Sequence, residues 1–300
     1  MGMGSASLDI SNTLTKALHL LLTAKDLAPT VVYQRPSPEN LFRHSVYIAF
    51  DKIVAGATGS SLFEATIKAF AEFGESEICK GLGIKSRSGM AGGIIRSMAI
   101  KRAKAELIER DAFFFHYRNR VPFIKQATCH AQCEGKSLEL LLFELSTAHS
   151  DFSTYLCTLP SCADGSSECF IFGMGTSSQE NEAKARSIDE FVDLYMNHQL
   201  NPLWCRSLAD NSDISSLHFH HLASRDQRNI KIISELCRID ISVSSLKREE
   251  INQAKWDLEM LDGPLKFFSY VKVKHPDLIK IEFGQAEPDV NGSPLYHPFW

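Results

Sequence analysis

The chain has 300 residues, of which 44% are hydrophobic, and a formal net charge of −4 at pH 7 with basic and acidic residues interspersed. This length can bury a sizeable core, and the mixed charge predicts no surface for a nucleic acid. No apolar run reaches the roughly 18 residues of a membrane-spanning helix, and the 8 cysteines follow no disulfide framework. We therefore expect a soluble, cytoplasmic protein with reduced thiols and no membrane partner.

The N-terminal part is predicted to form two helices separated by a loop and a strand. Residues 1–25 have the pattern of an amphipathic helix, and three prolines break the loop that follows. Residues 45–54 are predicted as a strand, and residues 56–78 turn through glycine into a second helix. Glu72 and Glu75 lie opposite the apolar face of that helix, so the pattern alone predicts that both carboxylates are exposed to solvent.

The third helix is the most informative segment and lies within Ser88–Arg118. Its apolar stripe consists of Ala99, Ala103, Leu107 and Phe114. Glu106 and Arg110 fall on or beside this stripe, and a carboxylate carried toward a core needs a partner. The run Glu106-x-x-Glu109-Arg110 therefore indicates a binding site, although spacing alone also fits an ordinary ion pair between residues four apart.

The remaining elements are predicted in alternation. We expect an irregular region at 121–136, a helix at 137–149, strands at 152–160 and 168–175, a helix at 181–198, a helical stretch at 248–261, and strands at 264–275 and 277–284. On the helix at 181–198, Arg186, Glu190 and Asp193 share the polar side. Interspersed elements without a break in composition predict a single α/β or α+β domain over residues 1–300.

One short sequence pattern occurs twice. Ala69–Ser76 and Lys104–Asp111 both carry Glu-x-x-Glu on an amphipathic helix. If the two helices face each other, their four glutamates crowd one cleft, which requires cations between them. Hard oxygen ligands of this kind suit magnesium, which retains waters and bridges carboxylates to phosphates.

These segments resemble the YcaO-domain family, whose members activate peptide backbone amides with ATP. The glycine-rich turn SGMAGG and the following AELIERDAFF, within Ser88–Phe114, carry the most specific match. AEFGES at Ala71–Ser76 is similar to the first glutamate motif of the family, and Gly173–Asp193 is similar to its third nucleotide-contacting helix. The ending YHPFW resembles its proline-rich C-terminus, whereas residues 1–50, an N-terminal helix and loop, match weakly.

The resemblance implies a fold of mixed sheets flanked by helices, with an ATP and Mg²⁺ cleft lined by the Glu-x-x-Glu helices. The implied magnesium ligands are Glu72, Glu75, Glu106 and Glu109, and the implied ATP contacts are Arg110, Arg186 and Glu190. It also implies a ribosomally synthesised precursor peptide as substrate. Because the chain has no obvious peptide-recognition domain of its own, we expect a separate partner protein, and a homodimer is a further possibility.

Two functions from different classes remain open. The first is an ATP- and magnesium-dependent enzyme that forms thiazoline or oxazoline rings in a peptide, or a thioamide or amidine by the same activation. The second is a shortened, inactive subunit that binds a peptide or a partner protein. It is suggested by a short interval between the two glutamate motifs, by Ser76 and by the altered tail. Met98 and Asp193 are further departures from the family pattern, in the nucleotide site.

Two further patterns have alternative interpretations. Cys129–Cys133 (CHAQC) and His218–His221 (HFHH) supply thiols and imidazoles for a conceivable zinc site, although structural thiols and surface histidines are commoner. Gly173–Ser178 (GMGTSS) runs from a predicted strand toward a helix and could cradle a phosphate, although a tight turn is the commoner explanation.

Overall fold

The protein combines helices with antiparallel strands. The structure, a computed structural model, describes residues 31–35, 44–50, 53–59, 61–83, 87–133, 136–167, 169–200, 227–238, 248, 250–278, 287–288 and 294–295. The predicted helix at 1–25, the HFHH segment, and most of the strand at 277–284 and of the C-terminal tail lie outside the described residues. Within the described residues, no helix has the length and hydrophobicity needed to cross a bilayer.

The elements are numbered in chain order. The strands are β1 Val31–Arg35, β2 His44–Phe50, β3 Ile53–Gly59, β4 Met90–Gly93, β5 Ile124–Cys133, β6 Lys136–Leu145, β7 Ser153–Thr158, β8 Phe172–Ser177, β9 Asp257–Leu261, β10 Ser269–Lys274, β11 Glu287–Pro288 and β12 Pro294–Leu295. The helices are α1 Leu62–Leu82, α2 Arg96–Asn119, α3 Pro160–Ala163, α4 Glu180–Leu200 and α5 Gln227–Arg238, with a 3₁₀ turn at Gln253–Lys255.

Helix α1 has clear start and stop signals. The Ser61 side chain accepts a hydrogen bond from the backbone N–H of Glu64, 3.1 Å away, which caps the first turn. Gly83 ends the helix in the left-handed conformation with φ 63°. Between these caps, Phe70 and Ile78 are buried against the two three-stranded sheets, β1-β2-β3 and β4-β10-β9. Helix α1 packs on β2, β3 and β4.

A three-stranded sheet in the order β4-β10-β9 lies between α1 and α2. Tyr270 of β10 packs in the cluster that contains α1 side chains, whereas Val271 and Val273 pack against Ala99 and Ala103 of α2. Because successive side chains of a strand point to opposite faces, β10 holds one helix on each face of this sheet. Strand β4 lies at its edge.

A four-stranded sheet in the order β5-β6-β7-β8 is likewise covered on both faces. The second half of α2 packs on one face, where Phe113 stacks on Phe172 of β8 with ring centroids 5.4 Å apart. Helix α4 packs on the other face through Phe191 and Val192. A Cβ on Gly173 would lie 2.1 Å from the Phe191 backbone nitrogen, so this glycine lets α4 approach β8 closely.

The mixed α+β class expected from the sequence is confirmed, with antiparallel sheets. The helices predicted around Glu72, Glu106 and Glu190 are also confirmed, as α1, α2 and α4. The predicted strand at 45–54 in fact covers most of β2 and only the start of β3, because β2 ends at Phe50 and β3 begins at Ile53. Strand β1 lies within the segment predicted as the proline-bearing loop.

Three other predictions are wrong. The predicted helix at 137–149 is mostly strand β6, where Leu140 and Leu142 pack on one face of the sheet and Phe143 on the other. A strand buried on both faces lacks polar alternation, so its continuous apolar run is easily mistaken for a buried helix. The region predicted as irregular contains β5, whose exposed stretch is polar, and the predicted helix at 248–261 contains the 3₁₀ turn and exposed strand β9.

Candidate functional site

At the edge strand β4 of the three-stranded sheet β4-β10-β9, a glutamate and an arginine both form hydrogen bonds to the backbone of one residue, Gly92. The backbone N–H of Gly92 in β4 donates to Glu75 Oε1 of α1 at 2.6 Å. The carbonyl oxygen of Gly92 accepts a hydrogen bond from Arg102 Nη1 of α2 at 2.9 Å. An edge strand leaves such groups unpaired within its sheet, and here side chains from the two flanking helices satisfy them.

The edge of the four-stranded sheet has a similar arrangement. The backbone N–H of Met174 in β8 donates to Glu190 Oε2 of α4 at 2.7 Å. Arg186, also on α4, donates from Nη1 to the carbonyl oxygen of Thr176 at 3.3 Å and from Nη2 to Glu182 at 2.6 Å. At each sheet edge, therefore, one glutamate accepts from a backbone N–H and one arginine donates to a backbone carbonyl oxygen.

Helix α2 supplies the glutamates between these two edges. Arg110 Nε donates to Glu106 Oε1 at 3.2 Å, so the ion pair considered from the spacing is present. Glu109 lies one turn along the helix from Glu106 and is affected by the charges of Glu190 and Arg186 on α4. The middle of α2 therefore faces both sheet edges.

The pKa values of the acids in this region are raised. Burial raises the pKa of Glu75 and of Glu109 to about 8, and that of Glu190 to about 7. Burial also raises the pKa of Glu72. Like charges add to the effect, because Glu72 acts on both Glu75 and Glu190, and Glu190 acts on Glu109. The three helices thus bring their carboxyl groups into one electrostatically coupled cluster.

We infer from their exposure and their pKa values that these acids line a cleft. Glu72 and Glu109 are half-buried and Glu190 is exposed, although protein surrounds each of them closely enough to raise its pKa. A concave surface explains why side chains with solvent contact have raised pKa values, since the walls of a cleft touch water but are surrounded mainly by protein. Glu75 is the exception with only 6% exposure, so the prediction that its carboxylate is solvated is wrong.

The cluster fits a magnesium ion bound together with phosphates. Within the described part of the chain, no three acidic, imidazole or thiol groups surround a common point as preformed ligands of one metal ion. Magnesium commonly uses only one or two carboxylates and completes its shell with water and substrate phosphates. Crowded carboxyl groups with raised pKa values are stabilised in their charged form when such a cation arrives.

Two arginines of the cleft were not identified from the sequence. Arg102 lowers the pKa of Glu75 and Glu72, opposing the effect of their burial. Arg87 donates from Nη1 to Ser76 Oγ at 3.1 Å, and its charge opposes the raised pKa of Glu72. One sequence signal could have identified Arg102 as a residue of the site. It lies one turn before Glu106 on the same helix.

The alternative sites are not supported by the positions of their residues. Cys129 and His130 lie on strand β5, where consecutive side chains point to opposite faces, so they do not converge as ligands. The segment considered as a phosphate loop, for which a tight turn was the commoner explanation, is mostly buried strand β8. There Gly173 and Gly175 give room to α4, since a Cβ on Gly175 would lie 2.2 Å from the Ala183 carbonyl oxygen.

Several solved structures share this fold. A YcaO protein from Methanopyrus kandleri, bound with AMPPCP and Mg²⁺, is 12% identical with a TM-score of 0.55, and the alignment covers 88% of this chain and 90% of that one. The Escherichia coli microcin synthetase McbBCD complex with pro-MccB17 bound contains a chain that is 10% identical with a TM-score of 0.58, covering 86% and 90%. A heterocyclase in complex with substrate and cofactor is 12% identical with a TM-score of 0.55, covering 89% of this chain and 52% of that one.

At these identities the likeness concerns the fold, and the family assignment comes from the sequence. A search of curated protein sequences found no match. The family model described as YcaO cyclodehydratase, ATP- and Mg²⁺-binding, matches residues 74–259, which is more than half of the chain. The match includes Glu75 and all of α2 and α4. The chain therefore belongs to the YcaO cyclodehydratase family, for which ATP and Mg²⁺ are the cofactors.

Proposed function

We propose that this protein is an ATP- and magnesium-dependent enzyme that activates backbone amides of a ribosomally synthesised peptide, forming thiazoline or oxazoline rings. The single observation that carries the proposal is the convergence of glutamates and arginines from three helices on the cleft between two sheet edges. The family binds ATP and Mg²⁺, and such a cleft would fit the triphosphate of ATP with its metal ions.

Each group of the cleft has a proposed role. Glu72, Glu75, Glu106 and Glu109 would hold magnesium, and Arg110, Arg186 and Glu190 would contact the nucleotide. Bound ATP and Mg²⁺ would supply the phosphoryl group and the positive charge that turn an amide oxygen into a leaving group. The arginines are permanently protonated and would stabilise the negative charge that develops during the transfer.

The two edge hydrogen bonds would orient the glutamates. Gly92 holds one oxygen of Glu75 and Met174 holds one oxygen of Glu190, which leaves the second oxygen of each carboxyl group for a ligand. Hydrogen bonds of this kind fix a carboxyl group before its ligand arrives and reduce the ordering required on binding.

A precursor peptide and a separate partner protein complete the proposal. The structural likeness to a microcin synthetase complex with a bound precursor supports an assembly in which another chain presents the peptide. The alternative, a non-catalytic binding subunit, predicts peptide or partner binding without phosphate release.

The nucleotide assignment is tested first by binding. We expect a fluorescent ATP analogue to bind the purified chain when Mg²⁺ is present, and Glu109→Gln to weaken this binding at least about tenfold. Because glutamine resembles the protonated form of a carboxyl group whose pKa is raised, the variant should keep the thermal stability of the wild type. The matched control is Glu235→Gln, which removes an exposed carboxylate from α5.

The reaction is tested with a candidate precursor peptide and any partner protein encoded beside this chain. We expect phosphate release from ATP and a mass loss of one water per ring in the peptide. Nucleotide binding without either product would reject the enzyme and favour the binding subunit. Equal nucleotide binding by wild type and Glu109→Gln would instead reject the magnesium assignment of α2.

A further inference from the structure

Arg102 is a charged group of the cleft that has no role in the assignments above. It lies on α2 one turn before Glu106, and its Nη1 is 2.9 Å from the carbonyl oxygen of Gly92. The N–H of the same glycine is 2.6 Å from Glu75 Oε1. The Arg102 guanidinium from α2 and the Glu75 carboxyl group from α1 are therefore both held by hydrogen bonds to the backbone of Gly92, in the edge strand β4.

The residue to which Arg102 binds, Gly92, lies at a closely packed point of the β4 edge. Gly92 pairs with Tyr270 of β10, and a Cβ on Gly92 would lie 2.6 Å from the Tyr270 ring and 3.3 Å from Ala71. The glycine therefore lets α1 and the aromatic ring approach this edge at the same point. The hydrogen bonds to Glu75 and Arg102 are formed beside a closely packed ring rather than at an open surface.

The charge of Arg102 acts on the two glutamates of α1. Burial raises the pKa of Glu75, and among the charged groups around it Arg102 does most to lower that pKa. Arg102 also lowers the pKa of Glu72. Its described hydrogen bond is to a neutral carbonyl oxygen rather than to a carboxylate. Because a guanidinium does not lose its proton in proteins, this positive charge is permanent.

The other sheet edge provides a comparison. Arg186 also donates to a backbone carbonyl, that of Thr176 in β8, but it forms a direct ion pair with Glu182 at 2.6 Å. Its side chain is 39% exposed, so it is accessible to a nucleotide. Arg102 is also of intermediate exposure, but its hydrogen bond is to Gly92 and its charge acts on Glu72 and Glu75 of α1. The two arginines therefore differ in the groups that they contact.

We propose that Arg102 is the resident cation of the Glu72–Glu75 pair, and that it keeps divalent cations out of this half of the cleft until a nucleotide supplies phosphate ligands. Glu75 remains oriented through Gly92, while the permanent positive charge of Arg102 repels a second cation from this pair. The absence of a preformed three-ligand metal site among the described residues agrees with this role. The proposal rests on the magnesium and nucleotide assignment of the cleft.

The test measures Mn²⁺ binding without nucleotide, by the loss of the electron paramagnetic resonance signal of free Mn²⁺. We expect wild type to bind Mn²⁺ weakly, and Arg102→Gln to bind one ion at least about tenfold more tightly, because a unit charge near two carboxylates is removed. Arg102→Lys, which retains the charge, should behave like wild type. Arg96→Gln removes an exposed charge from the start of the same helix and should also leave binding unchanged.

A double variant locates the new site. Adding Glu75→Gln to Arg102→Gln should abolish the gained Mn²⁺ binding, since Glu75 is the carboxyl group held on the same glycine. Arg102→Met is measured in parallel, so that the test survives if either neutral variant fails to fold.

The proposal is overturned if a folded neutral variant binds Mn²⁺ no more tightly than wild type, or if Arg102→Lys gains binding equally. It is also overturned if wild type itself binds Mn²⁺ tightly at Glu75 without nucleotide. Failure of the proposed function has a different signature, namely no binding of the fluorescent ATP analogue by wild type in Mg²⁺.

Discussion

Asp111 and Arg248 form a buried ion pair with Oδ2 and Nη1 2.6 Å apart, although 137 positions separate them in the chain. The Arg248 guanidinium also lies 4.3 Å from the centroid of the Phe115 ring. Because Asp111 follows Glu109 and Arg110 directly, this pair attaches a distant chain segment to the part of α2 that lines the cleft.

Breaking this pair should be costly. Asp111 has no exposed surface, so Arg248→Met leaves a buried carboxylate without this partner, and we expect a loss of roughly 3–5 kcal/mol in the free energy of unfolding. Urea denaturation at neutral pH measures this loss. The double variant Asp111→Asn with Arg248→Met should recover part of it. If the single variant costs less than about 1 kcal/mol, the pair does not stabilise the fold.

Gly173 should resist substitution because α4 packs directly on β8. A Cβ at this position would lie 2.1 Å from the Phe191 nitrogen and 2.2 Å from the Ser187 carbonyl oxygen, so Gly173→Ala must displace the helix. We expect a loss of about 3 kcal/mol in stability and weaker nucleotide binding, since α4 also carries Arg186 and Glu190. Thermal unfolding and the fluorescent ATP analogue measure the two effects.

Gly81 provides the matched control for that substitution. A Cβ there meets nothing within 4 Å, and the residue lies in the last turns of α1. Gly81→Ala should therefore stabilise the protein by about 0.5 kcal/mol, because alanine is the better helix former. A comparable loss of stability from both substitutions would contradict the packing explanation.

His116 should make stability depend on pH in the acid range. Its Nε2 accepts a hydrogen bond from the Ser146 N–H at 2.8 Å, its Nδ1 donates to the Val121 carbonyl oxygen at 2.9 Å, and burial lowers its pKa to about 4. The unfolded chain binds this proton near the ordinary pKa of about 6.5. The contribution is therefore complete above pH 6.5 and is lost as pH falls toward 4, up to about 3 kcal/mol.

The variant His116→Gln isolates this effect. Glutamine does not titrate, so the difference in unfolding free energy between wild type and variant should shrink as pH falls from 6.5 to 4. Urea denaturation at several pH values measures that difference. A difference that is constant over this range would show that His116 does not titrate as proposed.

Arg87 should contribute to nucleotide binding from the rim of the cleft. Its guanidinium bonds Ser76 on α1, one turn beyond Glu72, and opposes the raised pKa of that glutamate. Because Arg87 is exposed and its interactions are screened by solvent, we expect Arg87→Gln to weaken binding of the magnesium–nucleotide complex only about threefold to fivefold. Isothermal titration measures this affinity, with the exposed Lys80→Gln on α1 as the control.

The helices of the cleft could be predicted from the sequence because each signal is local. Ser61 and Gly83 cap α1, and the 3.6-residue period marks the buried faces of α2 and α4. Strand β6 could not be predicted, because packing on both faces removes the alternation that identifies a strand. The burial of Glu75 could not be predicted either, because it depends on a sheet edge formed by β4, which α1 meets only in the folded chain.

The sequence by itself determined the family, the three helices of the cleft and their glutamates, together with Arg110 and Arg186, since these are properties of short segments. Only the tertiary structure decided how these groups are paired. The N–H groups of Gly92 and Met174 lie at the edges of two different sheets, and each is satisfied by a glutamate from a helix packed beside it. Because a backbone donor away from water requires a partner, the packing of the two sheets around α2 fixes the glutamates and places Arg102 among them.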